Sequence, residues 1–149
     1  MKHVELIILT MIFNGINLVA VLVAALAAFG LGSLWYSPLL FGKQWMKLSG
    51  VKQGIFNKEK QKGMALRFAV GFISWIVMSF VLAYAVQHQA ITGIKEAIIL
   101  SLWIWVGFIA TITLGTILWD NKPVKLYLLN NAYNCLAVAL MAVILVSWK

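Results

Sequence analysis

The side chains best suited to chemistry in this sequence lie where long apolar stretches begin or end. Tyr36 and Ser37 stand at the end of the first stretch, and Asn130, Asn131 and Asn134 stand near the beginning of the last. Asn130 and Asn134 are four residues apart, which puts them on one helix face. Hydroxyl and amide groups of this kind either line a polar pocket or hydrogen-bond neighbouring helices. The sequence favours the second role, with a ligand-binding pocket of these five residues as the alternative.

One charged pair is suggested by the ends of two other apolar stretches. Arg67 precedes the second stretch and Asp120 follows the third. If both side chains lie at the same membrane surface they can form a structural ion pair, although each can also extend to water independently.

The sequence offers no recognisable catalytic or metal-binding set. His3 and His88 are isolated, with no second histidine or cysteine at ligand spacing, and Cys135 is the only cysteine. No serine is accompanied by a histidine and an acid that would activate it, and no two acids suit acid and base roles. We therefore predict no catalytic residue, no metal and no cofactor.

These residues must be positioned by helices that cross a membrane. The 149 residues are 63% hydrophobic and only 11% charged, with a mean hydropathy of +0.95, whereas a soluble domain carries roughly 25% charged residues. A helix needs about 20 apolar residues to cross the hydrocarbon core, and the chain has four stretches of that length or more. We predict an all-α, polytopic four-helix bundle that forms a single domain over residues 1–149, with spans at residues 17–37, 67–88, 97–119 and 126–148.

The first apolar stretch is longer than one span requires. It runs uncharged from Leu6 to Gly42, and Asn14, Gly15 and Asn17 interrupt its early part. We expect the span to begin near Asn17, preceded by a short interfacial helix or turn. A cleaved signal peptide over the first 28 residues is a weaker alternative, because the asparagines interrupt it and the apolar stretch continues beyond it.

The distribution of charge predicts the orientation. Residues 43–67 contain seven basic residues and one acid, whereas the link between the second and third spans has only Lys95 and Glu96. Because lysine and arginine accumulate in cytoplasmic loops, the loop at residues 43–66 is predicted to be cytoplasmic and both termini to lie outside. The expected location is the cell membrane, or the inner membrane if the source is bacterial. The basic loop is able to attract anionic lipid headgroups, although ordinary membrane topology already explains its charge, and we expect no nucleic-acid partner.

Small residues predict where the helices approach one another. Alanine or glycine recurs every fourth residue in the first span, and small residues do so again in the third. Such stripes let helix backbones come close in lipid, either within one bundle or between copies of the chain. We favour packing within the bundle, and we also expect a homo-oligomer because four spans bury little surface. The two stripes are Ala20, Ala24, Ala28 and Gly32, and Gly107, Thr111 and Gly115.

Three blocks of the sequence resemble those of a known family. The first runs from Gly32 through Trp35-Tyr36-Ser37-Pro38 to Trp45. The others are Trp105-Val106-Gly107-Phe108, and Trp119-Asp120-Asn121-Lys122-Pro123 followed by Leu129-Asn130-Asn131-Ala132-Tyr133-Asn134. All three resemble blocks of a small membrane-protein family that is catalogued as domain of unknown function 1761. The resemblance implies a four-span integral membrane protein with no established activity or cofactor, and Asn134 stands where that family often has a histidine.

Three functions are compatible with these observations. An interaction or accessory protein of the membrane fits the small-residue stripes and the absence of charge inside the spans, and we place it first. A small oligomeric transporter or channel would need the asparagines of the fourth span to line water. A membrane-embedded, ligand-binding enzyme would need a ligand held by Tyr36, by those asparagines or by Arg67 and Asp120.

Overall fold

The structure is a computed structural model, and it describes residues 15–50 and 63–148. Four helices in this part are long and apolar enough to cross a membrane, and we call them the first to fourth spans. They are Leu18–Trp35, Met64–His88, Ile94–Leu118 and Val124–Ser147. The fold class is therefore as predicted, an all-helical bundle with four candidate spans. The interfacial helix expected before Asn17 lies outside the described residues.

The ends of the spans follow from local chemistry. Asn17 begins the first span by accepting hydrogen bonds at Oδ1 from the amides of Val19 and Ala20, as asparagine often does at a helix start. Pro123 precedes the fourth span in an extended conformation. Asn17 Nδ2 also donates to the Trp148 carbonyl at 3.3 Å. The beginning of the first span and the end of the fourth therefore lie at the same end of the bundle.

A fifth helix lies between the first two spans, within the segment predicted as a basic loop. It covers Gly42–Ser49, and we call it the connecting helix. Lys43, Gln44 and Lys47 are exposed. The segment was predicted as a loop because eight residues are too few for periodicity to distinguish a short helix from a connection. The lysines at residues 52–62 lie outside the described residues.

The third span is the only one of the four that is irregular. It is α-helical over Ile94–Ile104, widens to a π-helix over Trp105–Ala110 and is interrupted by a turn at Leu114. Threonine hydroxyls donate to their own helix here, from Thr111 to the Gly107 carbonyl and from Thr113 to the Ile109 carbonyl, each at 2.7 Å. Threonine bonds of this type compete with the regular backbone ladder and often bend helices.

The fourth span is the centre of the bundle. It packs against all three other spans and against the connecting helix, while the second span also packs against the first. The third span makes substantial contact only with the fourth, and it leaves a gap on the side of the second. The core consists mostly of small and medium side chains from the first, second and fourth spans, including Ala24, Leu82, Val138 and Met141.

The two stripes of small residues have different surroundings. Ala20, Ala24, Ala28 and Gly32 are all buried within the bundle. A Cβ added at Gly32 would lie 2.5 Å from Tyr133 Oη, so glycine is needed for the fourth span to approach. The stripe of the third span was also predicted to pack within the bundle, and the structure does not place it there. Gly107 and Thr111 are exposed, and a Cβ on Gly107 would meet no atom within 4 Å, because that helix touches the bundle along one side only.

The expected ion pair between Arg67 and Asp120 is also corrected. Both side chains are exposed, and in the described part of the chain neither forms an ion pair. The physical reason is the gap between the spans that carry them. The second and third spans both pack on the fourth and hardly contact each other, so each charged side chain reaches water separately.

Candidate functional site

At the end of the bundle where the first span ends, the chain makes a compact turn. Ser37 Oγ donates to the Leu34 carbonyl at 2.7 Å and accepts from the Leu39 amide at 3.3 Å. The amides of Phe41 and Gly42 then donate back to the carbonyls of Trp35 and Ser37. Ser37, which was predicted as a pocket residue, is therefore used within this turn.

The turn requires glycine at position 42, because any side chain there would overlap the backbone of the turn. A Cβ at this position would lie 2.3 Å from the Tyr36 carbonyl oxygen and 2.7 Å from that of Ser37. Both atoms belong to the backbone and cannot rotate away. The turn directs the connecting helix back against the bundle, where the Trp45 ring meets Tyr36 edge to face at 5.8 Å.

Tyr36 joins this end of the first span to the fourth. Its hydroxyl donates to Asn130 Oδ1 at 3.0 Å, and its ring packs edge to face on Tyr133 at 5.3 Å. Tyr133 in turn donates its hydroxyl to the Ala28 carbonyl at 3.0 Å and also packs against Trp75 of the second span. These contacts form an aromatic cluster that links the first, second and fourth spans.

Asn131 makes a separate set of contacts on another side of the fourth span. Its Nδ2 donates to Thr113 Oγ1 at 3.0 Å and to the Tyr127 carbonyl at 3.1 Å. The Trp105 indole donates to the Asn131 carbonyl at 3.1 Å, and the Tyr127 hydroxyl donates to the Ala110 carbonyl at 3.0 Å. These bonds attach the irregular part of the third span to the fourth.

The five predicted pocket residues therefore belong to different contacts. Tyr36 and Asn130 meet directly, whereas Asn131 turns towards the third span because neighbouring residues on a helix are about 100° apart. Asn134 is half-buried, and its side chain has no hydrogen bond in the described part of the chain. Trp105, Thr113 and Tyr127 did not stand out in the sequence as partners of Asn131, because their pairing depends on how the two helices face each other.

One buried polar group at this end has no partner. The indole nitrogen of Trp35 is inaccessible and makes no hydrogen bond in the described structure. The Trp35 ring itself packs on Phe41 at a centroid distance of 4.6 Å. The Trp35 ring also lies 6.4 Å from the Tyr133 ring, and its unpaired donor adds no convergent set of polar groups.

Two cavities lie away from these residues. A groove of about 520 Å³ separates the second and third spans and is lined by apolar side chains, with Ser74 as its one polar residue. A cavity of about 240 Å³ lies at the end of the bundle where the first span begins, between the Asn17 and Trp148 regions. Among residues 15–50 and 63–148, no three side chains of histidine, cysteine, aspartate or glutamate come together as a metal site would require.

Comparison with known proteins identifies a family and nothing more specific. Neither the curated proteins nor the solved structures contain a match to this chain. The model of the family described as protein of unknown function (DUF1761) matches residues 19–146, which include all the blocks quoted above. This chain belongs to the DUF1761 family.

Proposed function

We propose that this protein is an interaction or accessory protein of the membrane that associates with a second copy of itself through the third span. The observation that carries the proposal is the poor burial of this span. Only 11% of its most apolar 18-residue stretch is buried, against 44% for the fourth span. A helix attached along one side has most of its surface left for another helix.

The chemistry of the exposed surface suits helix association. Gly107 and Thr111 lie on it one turn apart, and the large side chains of Trp103, Phe108 and Ile112 are each about 70% exposed. Lipid is as apolar as these side chains, so apolarity alone does not drive association. Close backbone approach at small residues does. The combination offers a shallow notch at Gly107 bordered by large side chains that a facing helix can pack against.

The proposed orientation places the connecting helix in the cytoplasm and both termini outside. The end of the bundle where the first span ends exposes Lys43, Lys47, Lys122 and Lys125 together with Arg67, and Asp120 is the one described acid there. The end where the first span begins has Lys95 and Glu96, whose charges balance. This asymmetry supports the proposed orientation under the positive-inside rule, and the proposed location is the cell membrane.

Transport and catalysis draw less support from the site. Two of the three asparagines that a transporter would need for a water path are already engaged, Asn130 with Tyr36 and Asn131 with Thr113. A ligand-binding enzyme would need convergent polar groups, and the groove between the second and third spans is almost wholly apolar.

The test is self-association measured in proteoliposomes at decreasing protein-to-lipid ratio, by photobleaching steps of single labelled molecules. The double variant Gly107→Leu and Thr111→Leu should weaken association at least about fivefold, because overpacking a tight contact costs about 1–3 kcal/mol. Gly30→Leu is the matched control, since Gly30 is an exposed glycine of the first span with open space around it.

Two results would overturn the proposal. One is a monomer at every protein-to-lipid ratio for the unmodified chain. The other is equal weakening by Gly30→Leu and by the double variant, which would show that association does not use the third span.

A further inference from the structure

We propose that the connecting helix and the turn before it form a binding surface for anionic phospholipid headgroups at the end of the bundle where the first span ends. This surface consists of Leu39, Leu40, Lys43 and Lys47. It lies on a different part of the molecule from the proposed association face of the third span.

The connecting helix is strongly amphipathic. Successive residues of a helix are about 100° apart, so Lys43 and Lys47 share one face, with Gln44 beside them, and Trp45 and Leu48 share the opposite one. The exposures agree, because Lys43, Gln44 and Lys47 are exposed whereas Trp45 and Leu48 are partly buried. The apolar face packs on the bundle, where the Trp45 ring meets Tyr36, so the basic face is the one that remains available to headgroups.

The turn fixes the depth of the lysines. The connecting helix begins seven residues after the first span ends, and it is held close by the hydrogen bond from the Gly42 amide to the Ser37 carbonyl and by packing on the fourth span. Its lysines therefore lie at the level where the apolar span meets the headgroups, whatever the exact tilt of the bundle. Lysine can bury its methylene chain at this depth while its amine reaches a phosphate.

Two exposed leucines next to the lysines point to a lipid rather than to a soluble partner. Leu39 is 84% exposed and Leu40 is 47% exposed, at the tip of the turn. In water such side chains would be a liability, but at the edge of the hydrocarbon they insert among acyl chains. The leucines can contact the acyl chains of a phospholipid while the lysines bind its anionic headgroup. Nucleic acid or an acidic protein would interact with the lysines and leave the leucines without a partner.

The charge of this surface is not neutralised within the described structure. Lys43 and Lys47 form no ion pair there. Lys122 and Lys125, before and at the start of the fourth span, add positive potential at the same end of the bundle. Each lysine near an anionic membrane surface contributes about 1 kcal/mol, which corresponds to roughly fivefold in affinity.

The test uses the full chain in neutral detergent micelles, titrated with a fluorescent phosphatidylglycerol or with the matching phosphatidylcholine. The chain should prefer phosphatidylglycerol, and Lys43→Gln with Lys47→Gln should weaken its binding roughly 25-fold. Salt should weaken binding to the unmodified chain more than binding to the variant, because ions screen exposed charges. Circular dichroism checks that the variant keeps its helices.

Three controls keep the proposal falsifiable. Lys95→Gln, an exposed lysine at the other end of the bundle, should leave binding unchanged, and Lys43→Arg with Lys47→Arg should retain it. Soluble glycerol phosphate should not compete at concentrations comparable with the lipid. Equal binding of the two lipids, equal loss in Lys95→Gln, or displacement by glycerol phosphate alone would each overturn the proposal.

Discussion

The third and fourth spans have similar hydropathy, but the fourth lies at the centre of the bundle and the third at its periphery. The mean hydropathy is 2.2 for the third span and 1.8 for the fourth. The less apolar fourth span is nevertheless the more buried, because 44% of its apolar 18-residue stretch is buried in the bundle, against 11% for the third. In water the more apolar helix would take the centre. In lipid apolarity gives no preference between a neighbour and the bilayer, so small and polar side chains decide which helix lies inside.

The same two spans differ in regularity. The fourth is α-helical without interruption over Val124–Ser147, whereas the third contains the π-helical stretch and the turn at Leu114. Their contact is polar at the irregular part, where Asn131 meets Thr113 and Tyr127 meets the Ala110 carbonyl. Hydrogen bonds thus attach the third span to the fourth at the place where the backbone of the third span is least regular. The fourth span is held in the bundle mainly by close packing of its side chains.

The largest expected effect comes from making the same substitution in each stripe of small residues. Gly32→Leu should destabilise the bundle by about 3 kcal/mol, because the new side chain would overlap the Tyr133 ring. Gly107→Leu should change monomer stability by less than about 1 kcal/mol, since its surroundings are open. Unfolding by sodium dodecyl sulfate in mixed micelles, followed by tryptophan fluorescence, measures both. Equal losses would contradict the assignment of the third span to the periphery.

An intermediate effect is expected when the polar attachment of the third span is removed. Asn131→Leu should cost about 1–2 kcal/mol, because Asn131 is buried and loses its bonds to Thr113 and the Tyr127 carbonyl. Asn134→Leu, at a half-buried site without a described hydrogen bond, serves as the control and should cost little.

A double-mutant cycle isolates the Asn131 contact with Thr113. Combining Asn131→Leu with Thr113→Val should reveal a coupling of about 0.6 kcal/mol, the average for interhelical hydrogen bonds in membranes. Strict additivity of the two substitutions would show that this hydrogen bond does not stabilise the bundle.

The smallest effect is expected at the π-helical stretch itself. Tyr127→Phe removes only the hydroxyl that donates to the Ala110 carbonyl, so the loss should be about 0.5 kcal/mol and confined to the third span. Amide hydrogen exchange should quicken there and stay unchanged in the fourth span. Tyr84→Phe, at an exposed tyrosine of the second span, is the control. Faster exchange throughout the bundle would mean that the third span is not a separate, weakly held unit.

Several features of the fold were predictable because they depend on local properties of the chain. Apolar length predicted four spans, and the structure has four helices long and apolar enough to be spans. Asn17 and Pro123 lie next to two of the helix starts. The stripe that ends at Gly32 was predicted from its spacing alone, and its four residues are buried in the structure. The connecting helix was missed because an amphipathic segment of eight residues leaves too short a pattern.

The candidate site was less predictable because its contacts join distant residues. The sequence identified Tyr36 and Asn130 as polar residues of similar depth, but their hydrogen bond connects positions 94 residues apart. It also grouped Asn131 with them, although that amide faces the third span. Spacing along one helix fixes which residues share a face, and it says nothing about which helix lies opposite.

By itself, the sequence determined that this chain forms four apolar helices long enough to cross a membrane, because their length and lack of charge are properties of each segment alone. Only the tertiary structure decided that the fourth span is central, that the third is peripheral, and that Arg67 and Asp120 stay apart. The physical reason is that lipid provides no hydrophobic force to rank the helices. Their places depend on close contacts such as Gly32 with Tyr133, which exist only when the helices are assembled.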